Sequence, residues 1–267
     1  MILSLSLIHI YNKPLENGGI IVIDLIKNEN ILDKIGISKR EYFDILKDYL
    51  IEINGEYFFQ KEVSYVDVVN EIIGRYLCHK INLRTTSLKV VRKSLITYKI
   101  ITPNYRSNKY IYFKPEDNFE YGEYVENFND RYFKNLEDVH KKDLYKLLAV
   151  DLMMEQEDRY ARNMEEYYPN NTIRLAPITD FSNTFINYKN FTYFNPYILI
   201  RKDLRSLDLF YNRYPEGYKF FKDIFETDYE EIEEYLKTRY SLVPRNSVKK
   251  NVINTMKRNK ELIKSLH

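Results

Sequence analysis

The chain has 267 residues, 44% of them hydrophobic and 30% charged, which is the balance of a globular protein large enough for one or two domains. Its net charge of +2 excludes a strong electrostatic pull toward nucleic acid or an anionic membrane. The single cysteine, Cys78, excludes an intrachain disulfide and a cysteine-based zinc site, and the scattered His9, His79, His140 and His267 have no metal-ligand spacing.

Met1 to Ile10 is apolar, has no basic start and runs into Tyr11-Asn12-Lys13-Pro14 without a small-residue cleavage site, so it reads as a core strand rather than a signal peptide. No stretch reaches the roughly 18 apolar residues of a membrane-spanning helix. A cytoplasmic location is expected, although a secreted effector without a classical signal has the same pattern. Ser38 with Glu41 forms a capping-box pattern ahead of a helical stripe at Tyr42, Phe43, Ile45, Leu46, Tyr49 and Leu50. Asn54-Gly55 lies between Leu50–Ile53 and Tyr57–Phe59, a strong hairpin signal. Helix, turn, helix and hairpin over residues 31–60 also fit a winged helix-turn-helix. Lys39, Arg40 and Lys47 are mixed there with Glu41, Asp44 and Asp48, however, a poor phosphate-binding face. A DNA-binding regulator is therefore the distant alternative, and nucleic acid is not an expected partner.

The hairpin's second strand ends at Lys61, and on its own such a lysine is usually just solvated. A helix starts near Tyr65 with Val68, Val69, Ile72, Ile73, Tyr76 and Leu77 on one side and Glu71 within it. Ser87–Val91 and Leu95–Ile101 read as further strands, and Tyr110–Phe113 as a short strand in an irregular aromatic region. Asp143 to Met154 is a strong helix with Leu144, Leu147, Leu148, Val150 and Met154 inward. Two amphipathic helices close the chain. One spans about Tyr218–Tyr240, interrupted at Thr227-Asp228. The other spans Val248–Leu266, and its Lys249, Lys250, Lys257, Arg258, Lys260 and Lys264 read as a solvated face. Strands before Tyr105 and long helices after Asp143 point to an α+β fold.

The chemistry concentrates between Asp158 and Asp180. Asp158-Arg159-Tyr160-Ala161-Arg162-Asn163 cannot keep its acid and amide on one helical face, so it reads as a loop after a helix. A polar turn follows, then the apolar run Ile173-Arg174-Leu175-Ala176-Pro177-Ile178-Thr179, which delivers Asp180-Phe181-Ser182. Phosphoryl transfer needs such a trio: an acid to orient the acceptor hydroxyl, and an amide oxygen plus a carboxylate to hold Mg²⁺ on the phosphates. Asp158 is the candidate catalytic residue, and Asn163 and Asp180 are the candidate metal ligands.

These residues resemble the HipA-type bacterial Ser/Thr kinases, including small members of the CtkA kind. Asp158-Arg159-x-x-x-Asn163 is similar to the family's Asp-x-His-x-x-Asn loop, with Tyr160 in place of the histidine. Leu175-Ala176-Pro177-Ile178-Thr179-Asp180 is similar to its Leu-x-Pro-x-Tyr-Asp segment. Phe59-Gln60-Lys61, Asn70-Glu71 and Cys78-His79-Lys80-Ile81-Asn82-Leu83 match its strand-end lysine, Asn-Glu helix and following turn in order and spacing. The resemblance covers roughly residues 55–266, but no Gly-rich phosphate loop precedes Lys61.

The resemblance implies a two-lobed protein-kinase-like fold, with a small β-rich lobe at 1–102 and a mainly helical lobe at 103–267. It implies that Lys61 holds the ATP phosphates, braced by Glu71, and that a hinge near Ile101, Thr102, Asn104 and Tyr105 binds adenine through backbone groups. The implied activity is transfer of phosphate from ATP with Mg²⁺ to a Ser or Thr hydroxyl of a protein. Such kinases are often toxins paired with an antitoxin-like protein, and some phosphorylate themselves. A phosphoinositide or small-molecule kinase shares fold and trio and is the nearest alternative.

Overall fold

The computed structural model describes residues 50–53, 55–94, 97–104, 138–156, 165–167, 173–182, 184–185, 220 and 222–264. The expected strand at Met1–Ile10, the winged-helix candidate before Leu50 and the strand at Tyr110–Phe113 lie outside these residues.

β1 (Leu50–Ile53) and β2 (Glu56–Ser64) form the expected hairpin, with Ile53 opposite Glu56. The register leaves two residues between the paired strands. Gly55 adopts φ +80°, which a side chain would oppose. β2 continues three residues past Lys61, because Glu62, Val63 and Ser64 keep the in–out alternation with Val63 buried and its neighbours exposed. Lys61 is thus an interior strand residue rather than a strand end.

β3 (Lys89–Arg92) and β4 (Thr97–Pro103) complete a four-stranded antiparallel sheet in the order β1-β2-β4-β3. Lys61 lies opposite Ile100, and Gln60 and Phe59 lie opposite Ile101 and Thr102. β3 begins at Lys89, opposite Ile101.

α1 (Tyr65–Lys80) follows β2 without a loop. Ser64 caps it: its hydroxyl accepts from the Asp67 N–H while the Asp67 carboxylate accepts from the Ser64 N–H. The expected apolar stripe is buried, and so are Asn70, Glu71, Gly74 and Arg75 between its residues, so the middle of α1 is enclosed all round. Val68, Val69, Ile72, Ile73 and Leu77 have no exposed surface, and each contributes about 2 kcal/mol of apolar burial. α1 packs against β2 and β4 on one side and against α2 (Asp138–Met154) and α3 (Tyr229–Tyr240) on the other. α2 starts five residues before the Asp143 expected from the sequence, and Leu144, Leu147, Val150 and Met154 are buried as expected.

A small hairpin follows α2. β5 (Glu165–Tyr167) pairs with β6 (Ile173–Leu175), so part of the stretch expected to be a polar turn is a strand. Its Glu165-Glu166-Tyr167 sequence has no apolar alternation to reveal it. Beyond β6, Ile178 forms a parallel bridge to Thr85, and its N–H donates to the Arg84 carbonyl. That bridge brings the chain back beside α1 just before Asp180.

The interruption at Thr227-Asp228 is real, since Asp228 is the N-cap of α3. α4 (Asn246–Lys264) turns Val248, Val252 and Met256 inward. Part of its basic face is engaged rather than solvated. Lys249 pairs with Glu233 at 2.7 Å, Arg258 binds the buried Glu155, and Lys260 donates to the Thr227 carbonyl. No helix among the described residues is long and apolar enough to cross a membrane.

Gly74 shows how tightly α1 meets the Asp180 loop. A Cβ built there would lie 2.3 Å from Phe181 Cγ. Helix propensity alone has Gly74→Ala stabilising by about 1 kcal/mol. The overlap with a fully buried ring opposes this, and overpacking costs about 1–3 kcal/mol. We therefore expect net destabilisation in a urea titration. A stabilised Gly74→Ala would show that the ring moves aside without cost.

Candidate active site

β2 and the segment after β6 bring Lys61 and Asp180 together across 119 positions of sequence. Lys61 Nζ lies 3.3 Å from Asp180 Oδ1 and 3.4 Å from Ser182 Oγ, and the Ser182 hydroxyl donates to Asp180 Oδ1 at 2.9 Å. Both charged side chains keep substantial exposure, 45% for Lys61 and 31% for Asp180. Partial burial works against the Lys61 ammonium. The nearby Asp180 and Glu71 carboxylates outweigh it and hold lysine above its ordinary range. The pair is thus a cation and an anion side by side, both partly exposed, with Ser182 bridging them.

Asp180 adopts φ 63°, the left-handed region that Asp enters more readily than most residues but at a cost of about 1 kcal/mol or more. Buried polar side chains hold the loop in that shape. Gln156, just past α2, donates from Nε2 to the Asp180 carbonyl at 2.7 Å. Glu71 accepts the Phe181 N–H at 2.9 Å. Asn70 donates to the carbonyls of Ser182 and Thr184. The Phe181 ring closes over Gly74.

Glu71 therefore does not pair with Lys61. Its second oxygen faces Arg75, one helical turn on, at 3.6 Å, and both side chains are only 2% exposed. Arg75 in turn donates to the carbonyl and hydroxyl of Thr86. Burial pushes the Glu71 carboxyl above the usual carboxylate range, and the Arg75 guanidinium and Phe181 N–H pull against that rise.

Ile101 and Thr102 lie on β4 beside β2, and the Asn104 N–H donates to the Tyr57 carbonyl at 2.9 Å. Because β3 starts opposite Ile101, no described strand lies on that side of β4 at Thr102 and Pro103. Asp158, Asn163 and Tyr105 lie outside the described residues. Among those described, no three His, Cys, Asp or Glu side chains cluster as a metal cage. A lone carboxylate such as Asp180 suits Mg²⁺, which takes one or two protein carboxylates and fills its other positions with phosphate oxygens and water.

Gln156, Arg75, Asn70 and Ser182 had no role assigned from the sequence. Arg75 carries a signal in the sequence, since Glu71 and Arg75 stand at i,i+4 spacing in the apolar middle of α1. Gln156 carried no signal at all.

The Glu71–Arg75 pair yields a pH-dependent expectation. A carboxyl raised on folding favours its protonated form. Its contribution to stability falls as pH rises from the unfolded value, about 4.3, through the folded one. Arg75→Met removes the guanidinium that restrains this rise, so its cost should grow with pH. At pH 8 the uncompensated buried carboxylate should cost about 3–5 kcal/mol, and appreciably less at pH 5. Denaturant titrations at the two pH values measure this. A loss independent of pH would mean that Arg75 acts through Thr86 alone.

No protein-family model and no curated protein sequence matches the chain. Solved structures do. The structure of a proinflammatory kinase, CtkA, from Helicobacter pylori is similar at TM-score 0.53 and 11% identity, covering 82% of this chain and 92% of that one. HipA from Shewanella oneidensis MR-1, solved with HipB and its operator DNA, is similar at TM-score 0.52 and 11% identity. That match covers 81% of this chain and 62% of the HipA chain. The four-stranded sheet, α1 and the helices beyond it thus form a kinase-like fold of the HipA and CtkA type.

Proposed function

We propose that the protein is a kinase that transfers phosphate from ATP, with Mg²⁺, to a Ser or Thr hydroxyl of a protein. The observation that carries this is the partly exposed Lys61–Asp180 contact on a kinase-like fold. ATP and Mg²⁺, when bound, supply the phosphoryl group and the charge that steadies it. Lys61 would hold the phosphate oxygens and Asp180 the metal, in exchange for their present contact. Because the direct pair is partly exposed, it is worth only about 0–1 kcal/mol and is readily exchanged.

The remaining roles follow the chemistry. Asn163 adds a neutral metal ligand. Ile101, Thr102, Asn104 and Tyr105 belong to the hinge whose backbone groups adenine would meet. Asp158 accepts the proton of the attacking hydroxyl as the new O–P bond forms and the bond to ADP breaks. The sheet with α1 serves as a small lobe, residues 1–102, and the helices beyond 103 as the large one, with the site between them. An antitoxin-like protein is a candidate partner, supported by the HipA chain being part of a toxin–antitoxin complex with HipB.

Mutants separate metal binding from chemistry. Asp180→Ala should weaken Mg²⁺–ATP binding and abolish transfer. Asp158→Ala should keep nucleotide affinity and lose roughly 10²-fold or more in transfer. Calorimetric titration with a non-hydrolysable ATP analogue and Mg²⁺, alongside labelled-phosphate transfer to protein, lipid and sugar acceptors, measures both. Transfer to lipid or sugar alone would replace the protein-kinase assignment with a lipid or small-molecule kinase. Mutants that bind and transfer like the parent would end the kinase proposal.

A further inference from the structure

One peptide unit in the Asp180 loop is held at both ends. The Asp180 carbonyl accepts from Gln156 Nε2 at 2.7 Å, and the N–H of the same peptide, on Phe181, donates to Glu71 Oε1 at 2.9 Å. The two side chains come from separate elements, Gln156 from just beyond α2 and Glu71 from the middle of α1. Each is only 2% exposed. A carbonyl acceptor fixes which end of the Gln156 amide faces it, since only the NH₂ end donates.

Holding both ends of a peptide sets the backbone rotation on either side of it. For Asp180, already at φ 63°, this fixes the direction in which the carboxylate leaves the chain. A peptide turned over would place a carbonyl against the Glu71 carboxylate and an N–H against the Gln156 NH₂ group. Two unsatisfied, repelling contacts would then be buried. The clamp therefore selects the one orientation in which Asp180 Oδ1 stands 3.3 Å from Lys61 Nζ.

We infer that Gln156 and Glu71 are positioning residues that aim the Asp180 carboxylate through the main chain, touching neither nucleotide nor acceptor. The inference rests on the kinase assignment above, in which Asp180 holds the metal. It moves Glu71 from bracing Lys61 to bracing the metal-binding loop, and it gives Gln156 a part in the reaction.

The test is the Mg²⁺ concentration needed for half-maximal phosphate transfer at saturating ATP. Gln156→Met and Glu71→Met each remove one end of the clamp and should raise it about tenfold, the scale of one lost buried hydrogen bond. Glu71→Gln keeps an oxygen for the Phe181 N–H and should lose several-fold less than Glu71→Met. Gln156→Glu can donate to the Asp180 carbonyl only when protonated. Its transfer relative to the parent should therefore rise as pH is lowered from about 8 to about 6. Folded methionine variants with the parental Mg²⁺ requirement would overturn the inference. So would Glu71→Gln proving as damaging as Glu71→Met, which would point to charge rather than the N–H contact. If the methionine variants fail to fold, a pH-independent Gln156→Glu overturns it instead. A parent chain that transfers no phosphate from Mg²⁺–ATP would remove the kinase assignment itself, and this inference with it.

Discussion

A carboxylate with almost no access to water sits in the middle of α1, and the structure around the site is arranged about it. Glu71 cannot be left unpaired in an apolar helix face without a cost of several kcal/mol. Arg75 supplies charge from one turn further along the same helix, and the Phe181 N–H supplies a hydrogen bond from a loop far away in sequence. The second partner has the larger consequence. By reaching a main-chain N–H, Glu71 ties α1 to the segment that carries Asp180. Gly74 then lets the Phe181 ring lie directly on the helix, where any side chain would hold it off.

The result is a hard frame around a soft pair. Asn70, Glu71 and Gln156 are nearly fully buried, and their hydrogen bonds run to backbone groups of the loop, so they hold its shape. Lys61 and Asp180 are partly exposed, and their contact is worth little. This division suits a site that must exchange one set of ionic partners for another without moving its backbone.

The sequence by itself determined the local pieces. Asn54-Gly55 between two apolar runs required a hairpin, since only such residues accept the turn's backbone angles. The spacing of Val68, Val69, Ile72, Ile73 and Leu77 required a helix with a buried apolar stripe, and Thr227-Asp228 required a break before α3. Lys61 and Asp180 stood out because phosphoryl transfer uses those residue types, and the fold brings them into contact. What only the tertiary structure decided was which partner each polar group took. Lys61 faces Asp180, Glu71 faces Phe181, β2 runs on to Ser64, and Glu165–Tyr167 pairs as a strand. Periodicity reports how a residue sits relative to its own helix or strand. A hydrogen bond such as that from Gln156 to the Asp180 carbonyl depends on where two distant segments meet, and that is set by packing of the whole core rather than by neighbours in the chain.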